Sequence, residues 1–229
     1  MDIAARLIEE LESKTVFEIP IPIIGKLPVP ESAIVTWGIM AFIMIITLIF
    51  VRNLQIVPNR KQMVIEVIVN FIYDFFYGIL GKEGKRYIPY LGTVFIYLIC
   101  ANVIGLLGFK PPTKELNVTA GMAIMSIVLI EYSGIHEKKL GGWVKSFAHP
   151  MPLMIPFNIM ELFIRPMSLC MRLFGNIFGA FVIMELLKMF VPAIIPIPFS
   201  MYFDIFDGCL QAYIFVFLTS IFMQEKLEA

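Results

Sequence analysis

Residues 165–179 read RPMSLCMRLFGNIFG, and they set an ionised side chain, Arg172, inside an apolar stretch that runs from Met167 to Leu187. An arginine at the centre of a membrane-spanning helix costs about 2.5 to 3.5 kcal/mol on insertion scales, and such groups face a water-filled cavity or a partner. Guanidinium does not give up its proton in a protein, so burial cannot neutralise it. A solitary cation in so apolar a segment therefore calls for an anion.

The rest of the chain explains why a membrane is the setting. Of 229 residues, 59% are hydrophobic and 16% charged, and the mean hydropathy is +0.85. A soluble domain of this size cannot enclose that much apolar surface, so the composition predicts a polytopic membrane protein. Eighteen basic residues balance eighteen acidic ones. That balance excludes a nucleic-acid partner, which needs a basic excess to neutralise phosphates. Cys100, Cys170 and Cys209 sit in apolar segments without metal-ligand spacing and read as small packing residues. His136 and His149 each lack a second histidine at ligand spacing, so neither haem nor metal is expected. The N-terminal MDIAARLIEELESK is amphipathic and acidic, without the basic and apolar regions of a cleaved signal, so it is expected to stay in the mature chain.

Working outward, Ala33 to Val51 and Tyr87 to Phe109 are uncharged runs of 19 and 23 residues, each near the ~20 residues that a bilayer-spanning helix needs. Leu116 to Ile130, with Glu131 and Tyr132 at an interface, is a third span. Between the first two, Glu66, Asn70 and Asp74 recur every four residues. Val64, Ile65, Ile68, Phe71, Phe75 and Phe76 cover the other side. This pattern predicts a helix on the membrane surface or packed as a polar-faced hairpin. From Phe157 to Phe190 only Pro166 interrupts a helical pattern, and the three prolines of VPAIIPIPFS precede a last long helix from Met201 to Met223. Thirty-four residues would extend roughly 51 Å, well beyond a hydrocarbon core of about 30 Å, so the last two helices are expected as a steeply tilted antiparallel hairpin.

The expected fold is thus an all-α polytopic membrane protein with five crossings and one amphipathic membrane-associated helix. Its segments are an external N-terminal segment (1–32), a first transmembrane helix (33–52), an amphipathic cytoplasmic-side helix (53–86), a transmembrane hairpin (87–135), a cytoplasmic loop (136–152) and the tilted hairpin (153–229). With the first span running inward, ten basic residues fall on one side and six on the other. The richer side is expected to be cytoplasmic, which puts the N-terminus outside and the C-terminus inside.

On a helical wheel centred at Arg172, Glu161, Arg165, Ser168, Asn158 and Asn176 all fall within about 40° of it, as one polar stripe. Glu161 is expected to bridge Arg165, four residues along, which leaves Arg172 about 16 Å from it by helical rise. Glu185 lies on the opposite side of the helix, where it reaches Lys188 one turn away. Asp204, Asp207 and Gln211 form a stripe on the last helix, where the aspartates are also placed to cap that helix. The antiparallel arrangement divides the polar residues into an inner group, Asn158, Glu161 and Ser168, and an outer group, Asn176, Glu185, Asp204, Asp207 and Gln211. The counter-ion of Arg172 is expected on another polypeptide.

The stretches PFNIMELFIRPMSLCMRLFGNIFGA, CLQAYIFVFL and NVIGLLGFKPPTKELNVTAGMAI closely resemble subunit a of bacterial F-type ATP synthases, from about Ala33 to the C-terminus. The resemblance implies a non-catalytic stator with two offset half-channels. In it, Arg172 attracts each arriving carboxylate of a rotating c-ring and blocks a direct leak. It further implies H+ or Na+ as transported ion, no cofactor, peripheral-stalk b subunits and the F1 sector as partners besides membrane lipid, and the bacterial inner membrane as location. Phe181 departs from the family, which often carries an acid there; Glu185, one turn further, is expected to take that role, Asp204 stands where relatives often carry another titratable side chain, and the outer channel is expected to be rebuilt from Glu185, Asp204 and Asp207. Two rivals fit the residues less well. A stand-alone ion-coupled secondary transporter would also use intramembrane charges, but the two halves of the chain show no inverted repeat. The aspartates of YFDIFDG lie three residues apart on one helix, whereas paired-aspartate proteolysis brings carboxylates together from separate elements.

Overall fold

A computed structural model describes residues 15–21, 25–52, 55, 59–146, 153, 155–190 and 196–228. The amphipathic segment at residues 1–14 lies outside them. Among the described residues the membrane part is helical throughout, as expected. Ahead of it the segment 1–32 contributes a two-stranded antiparallel ribbon, β1 (Thr15–Ile21) and β2 (Gly25–Pro30), paired Phe17 with Val29 through Ile21 with Gly25. The helices are α1 (Glu31–Val51), α2 (Arg60–Leu80), α3 (Ile88–Val103), α4 (Leu116–Ser146) and α5 (Ile155–Phe190). The last rod consists of α6 (Pro196–Ser200), a π-helical stretch Met201–Asp207 and α7 (Gly208–Glu228).

Among the described residues six helices are long and apolar enough to cross a bilayer, in line with the five expected crossings and one additional membrane-associated helix. The additional one lies in α2, Gln62–Leu80. Asn59 caps its start, its side chain accepting from the backbone N–H of Arg60 at 3.1 Å. Gly81 ends it with φ +63°, a left-handed value that a residue with a Cβ adopts only with strain. The chain then turns through a 3-10 segment, Glu83–Tyr87, and α2 packs back along α3 and α7 as a hairpin. Phe75 touches the rings of Tyr213 and Phe217, and Phe76 meets Phe95 edge-on, which gives α2 an aromatic seam into the core. Glu66, Asn70 and Asp74 stay exposed, so the polar-faced hairpin is the arrangement found. Val64, Ile68 and Phe71 are exposed beside them, and Ile65, Ile72 and Phe76 carry the inward face.

The core lies where α3, α4, α5 and α7 meet, around Leu98, Ile130, Leu173, Phe215, Val216 and Met223. Small polar residues let these helices approach. Ser133, Thr219 and Ser220 are buried and donate to carbonyls of their own helices, three or four residues back, at 2.7 to 2.8 Å. By contrast α1 is almost wholly exposed, from Trp37 to Val51, an apolar surface suited to lipid or to a partner helix. Helix α4 runs on to Ser146 across a break at Lys139 (φ 61°, ψ 165°), so the expected loop 136–152 begins as helix. There Trp143 donates to Glu131 at 2.7 Å, Lys226 lies 3.4 Å from the same carboxylate, and Lys138 donates to the carbonyl of Lys226 at 2.6 Å. These bonds fasten the end of α7 to α4.

Helix α5 is continuous for 36 residues despite Pro166, roughly 54 Å at helical rise, so it cannot stand upright in a ~30 Å hydrocarbon core. Where the last rod passes α3, Gly208 lets it come close: a Cβ there would stand 2.9 Å from the Cβ of Asn102. Gly121 on α4 has open space at the same position. Gly208→Ala should therefore cost about 1–3 kcal/mol through overpacking, while Gly121→Ala costs nothing or stabilises slightly; thermal midpoints in detergent micelles check the difference.

Candidate functional site

Arg172 lies midway along α5, on a face that turns away from the rest of the chain. Leu169, Leu173 and Cys170 point into the core, whereas Ile164, Ser168, Met171, Arg172 and Gly175 are exposed. Among the described residues, Arg172 forms no hydrogen bond or ion pair. The polar stripe that the wheel drew as one is thus split by packing. Arg165 turns inward, only 8% exposed, and Arg172 turns outward.

Arg165 has its anions at hand. Its Nη2 reaches Glu161 at 2.6 Å and Glu225 at 2.8 Å, and its guanidinium lies over the ring of Phe222. The first of these is the expected bridge one turn away; Glu225 comes from α7, 60 residues on, and ties the two long helices together near the chain's end. No local pattern pointed to Glu225. Both carboxylates are half exposed, so the pair fixes geometry more than it adds stability. Ser168 is exposed and Asn158 half-buried.

The outer group does converge. Beyond Arg172, Asn176 donates to the Oε1 of Gln211 at 2.7 Å, joining α5 to α7 one turn from the arginine. Gln211 is 1% exposed, and its Nε2 has no partner among the described residues. Past this bond opens a cavity of about 440 Å³, whose walls include Glu185 and Phe181 of α5, Asp204 and Asp207 of the π-helical stretch, and Lys110 and Lys114 from the connection between α3 and α4. Three carboxylates from two segments, Glu185 on α5 and Asp204 and Asp207 on the last rod, thus share one space. The expected pairing of Glu185 with Lys188 falls on a side chain outside those described. Asp204 accepts from the Oγ of Ser200 at 2.6 Å, four residues back on the same rod, so it does not act as a helix cap.

The wall opposite is built by Asn102. Its Nδ2 donates to the carbonyl of Gly208 at 2.8 Å, and its Oδ1 accepts from the Oγ1 of Thr113 at 2.8 Å; both side chains are buried. The bond to Gly208 pins the rod where π-helix gives way to α-helix, the kind of local widening that recurs at functional sites. Gly105 allows the last approach, since a Cβ there would lie 3.1 Å from the Oδ1 of Asp204. Asn102, Thr113 and Ser200 carry no charge and were not singled out in the sequence. The one available signal was Asn102 as the lone amide within the apolar run from Tyr87 to Phe109.

Comparison with known proteins agrees with this architecture. Residues 33–224 match the family described as ATP synthase A chain. The chain is 34% identical to ATP synthase subunit a of Moorella thermoacetica, covering 86% of this chain and 90% of that protein. It is 34% identical to the sodium ion specific ATP synthase subunit a of Propionigenium modestum, over 87% of this chain and 75% of the other. A third relative, ATP synthase subunit a of Oleidesulfovibrio alaskensis, is 35% identical over 84% of each chain. A polytopic helical membrane protein with its polar residues gathered along two tilted helices, and matched to these relatives over most of its length, belongs to the ATP synthase subunit a family.

Proposed function

We propose that the chain is the stator of a rotary ion motor, passing H+ or Na+ through two offset half-channels to the carboxylates of a c-ring. The observation that carries this reading is Arg172: a permanent cation on an outward face of α5, with no anion beside it among the described residues. A fixed internal acid would satisfy the guanidinium once and for all. An empty face lets each passing ring carboxylate do so in turn, which forces that carboxylate to ionise and give up its ion. The same positive charge repels a free cation trying to pass straight from one half-channel to the other.

The cavity holding Glu185, Asp204 and Asp207, with Asn176 and Gln211 at its inner end, is the outer half-channel in this reading; Asn158, Glu161 and Ser168 line the inner one. Phe181 cannot carry an ion, and Glu185, in the same wall one turn on, takes that role. Moving one charge through the field is worth about 2.3 kcal/mol per 100 mV, all of it lost to rotation if ions leak past the arginine. The chain itself does no ATP chemistry and uses no cofactor. Its partners are the c-ring, the peripheral-stalk b subunits and, through the complex, the F1 sector, in the bacterial inner membrane.

The N-terminus lies outside and the C-terminus in the cytoplasm. That orientation needs five full crossings, and α2 is the helix that does not complete one. Three basic residues flank each of its ends, Arg52, Arg60 and Lys61 before and Lys82, Lys85 and Arg86 after, so both ends favour the cytoplasmic side. Helix α2 then dips in along α3 and α7 with Glu66, Asn70 and Asp74 on its outer flank.

Arg172→Ala should abolish ATP-driven ion pumping by reconstituted complexes while hydrolysis by the detached F1 sector continues; pumping at the wild-type rate would refute the assignment. Replacing Glu185 and Asp204 together by Gln and Asn should slow ion uptake from outside by at least tenfold without loss of assembled complex, read as passive ion flux in F1-stripped vesicles. Single cysteines at Asn59 and Lys82 should both react with an impermeant thiol reagent applied from the cytoplasmic side; labelling from opposite sides would make α2 a sixth crossing.

A further inference from the structure

One cation in the outer cavity is held in a way that surface lysines are not. Lys114 ends the short 3-10 turn Pro112–Lys114, and the neighbouring Thr113 is buried and bonded to Asn102, so the base of the lysine is fixed to the core. Its ammonium stands 3.0 Å from the centroid of the Phe181 ring, in the wall that also bears Glu185 and faces Asp204 and Asp207. An aromatic face attracts an ammonium electrostatically, and more strongly where water is excluded, so the ring acts as a seat for the charge.

We propose that Lys114 is an affinity-setting residue of this cavity, a tethered cation that sets how readily a free monovalent cation, proton or sodium, occupies it. The proposal rests on the reading of the cavity as the outer half-channel. Three carboxylates in a recessed space attract cations strongly enough to hold one rather than pass it on. A fixed positive charge in the same wall, with Lys110 nearby, offsets part of that attraction, so the site loads and unloads. At separations of several ångströms and an effective dielectric between that of a protein surface and water, one unit charge shifts local occupancy by about three- to tenfold. A proton bound to a carboxylate and a sodium ion beside it both feel this repulsion, so the effect has the same sign for either ion. Phe181 seats the ammonium in this arrangement and does not conduct.

The test is ATP synthesis by the assembled complex in vesicles at fixed imposed voltage, with external proton or sodium chloride concentration varied. Lys114→Met should lower the half-saturating cation concentration about three- to tenfold, and Lys114→Arg should restore it towards the wild-type value. Raising the ionic strength with choline chloride should narrow the gap between Met and Lys, because screening weakens a charge effect and leaves a packing effect alone. An unchanged half-saturation in Lys114→Met complexes that assemble and turn over would overturn the proposal, and so would failure of both variants to assemble, which would make Lys114 a strut of the turn. Arg172→Ala run alongside separates the two levels. Loss of pumping there with no effect of Lys114→Met removes only the lysine's role, whereas pumping without Arg172 removes the stator reading itself.

Discussion

A guanidinium that cannot lose its proton, and that has no acid beside it among the described residues, constrains everything around it. Arg172 is tolerable in an apolar environment only if something outside the chain supplies the charge, and the rest of the structure keeps that supply open. The core residues Leu169 and Leu173 hold α5 so that the arginine points outward. Arg165, seven residues earlier, takes up Glu161 and Glu225 and so draws the internal acids of that end away from it. At the other end Glu185, Asp204 and Asp207 open onto a cavity, separated from the arginine by the bond between Asn176 and Gln211.

The length of the last two helices follows from the same demand. In the proposed stator reading, a chain that offers one side of a mid-membrane charge to a partner, and polar access from two faces of the bilayer, needs polar groups spread along a helix longer than the membrane is thick. At 36 residues α5 provides that reach, and α7 runs beside it. The small buried hydroxyls of α4 and α7 and the missing Cβ atoms at Gly105 and Gly208 let these helices pack without filling the cavity.

Much of this was legible in the amino-acid sequence because membranes make polarity conspicuous. Charges stand out against apolar runs, and helical periodicity places them on faces. That is why the arginine and the bridge from Glu161 to Arg165 could be read from spacing alone. What escaped was long-range. Glu225 meets Arg165 only because two helices return past each other, and Asn102 meets Gly208 across 106 positions. Lys114 reaches Phe181 from a different element, which no periodicity encodes. Helix α2 was read as membrane-associated from the three polar residues on one flank, while the packing of Phe75 and Phe76 against α3 and α7 is invisible in one dimension. The N-terminal ribbon escaped too, since its apolar alternation is broken by prolines at Pro20, Pro28 and Pro30.

The central claim is that another polypeptide lies against the face bearing Arg172. A photoreactive amino acid placed at the exposed Met171, irradiated in native membranes, measures this directly. The account predicts a covalent adduct with a small membrane subunit that bears an intramembrane carboxylate, and a rotor immobilised by that adduct. Adducts with lipid alone, from a complex that still turns, would contradict it.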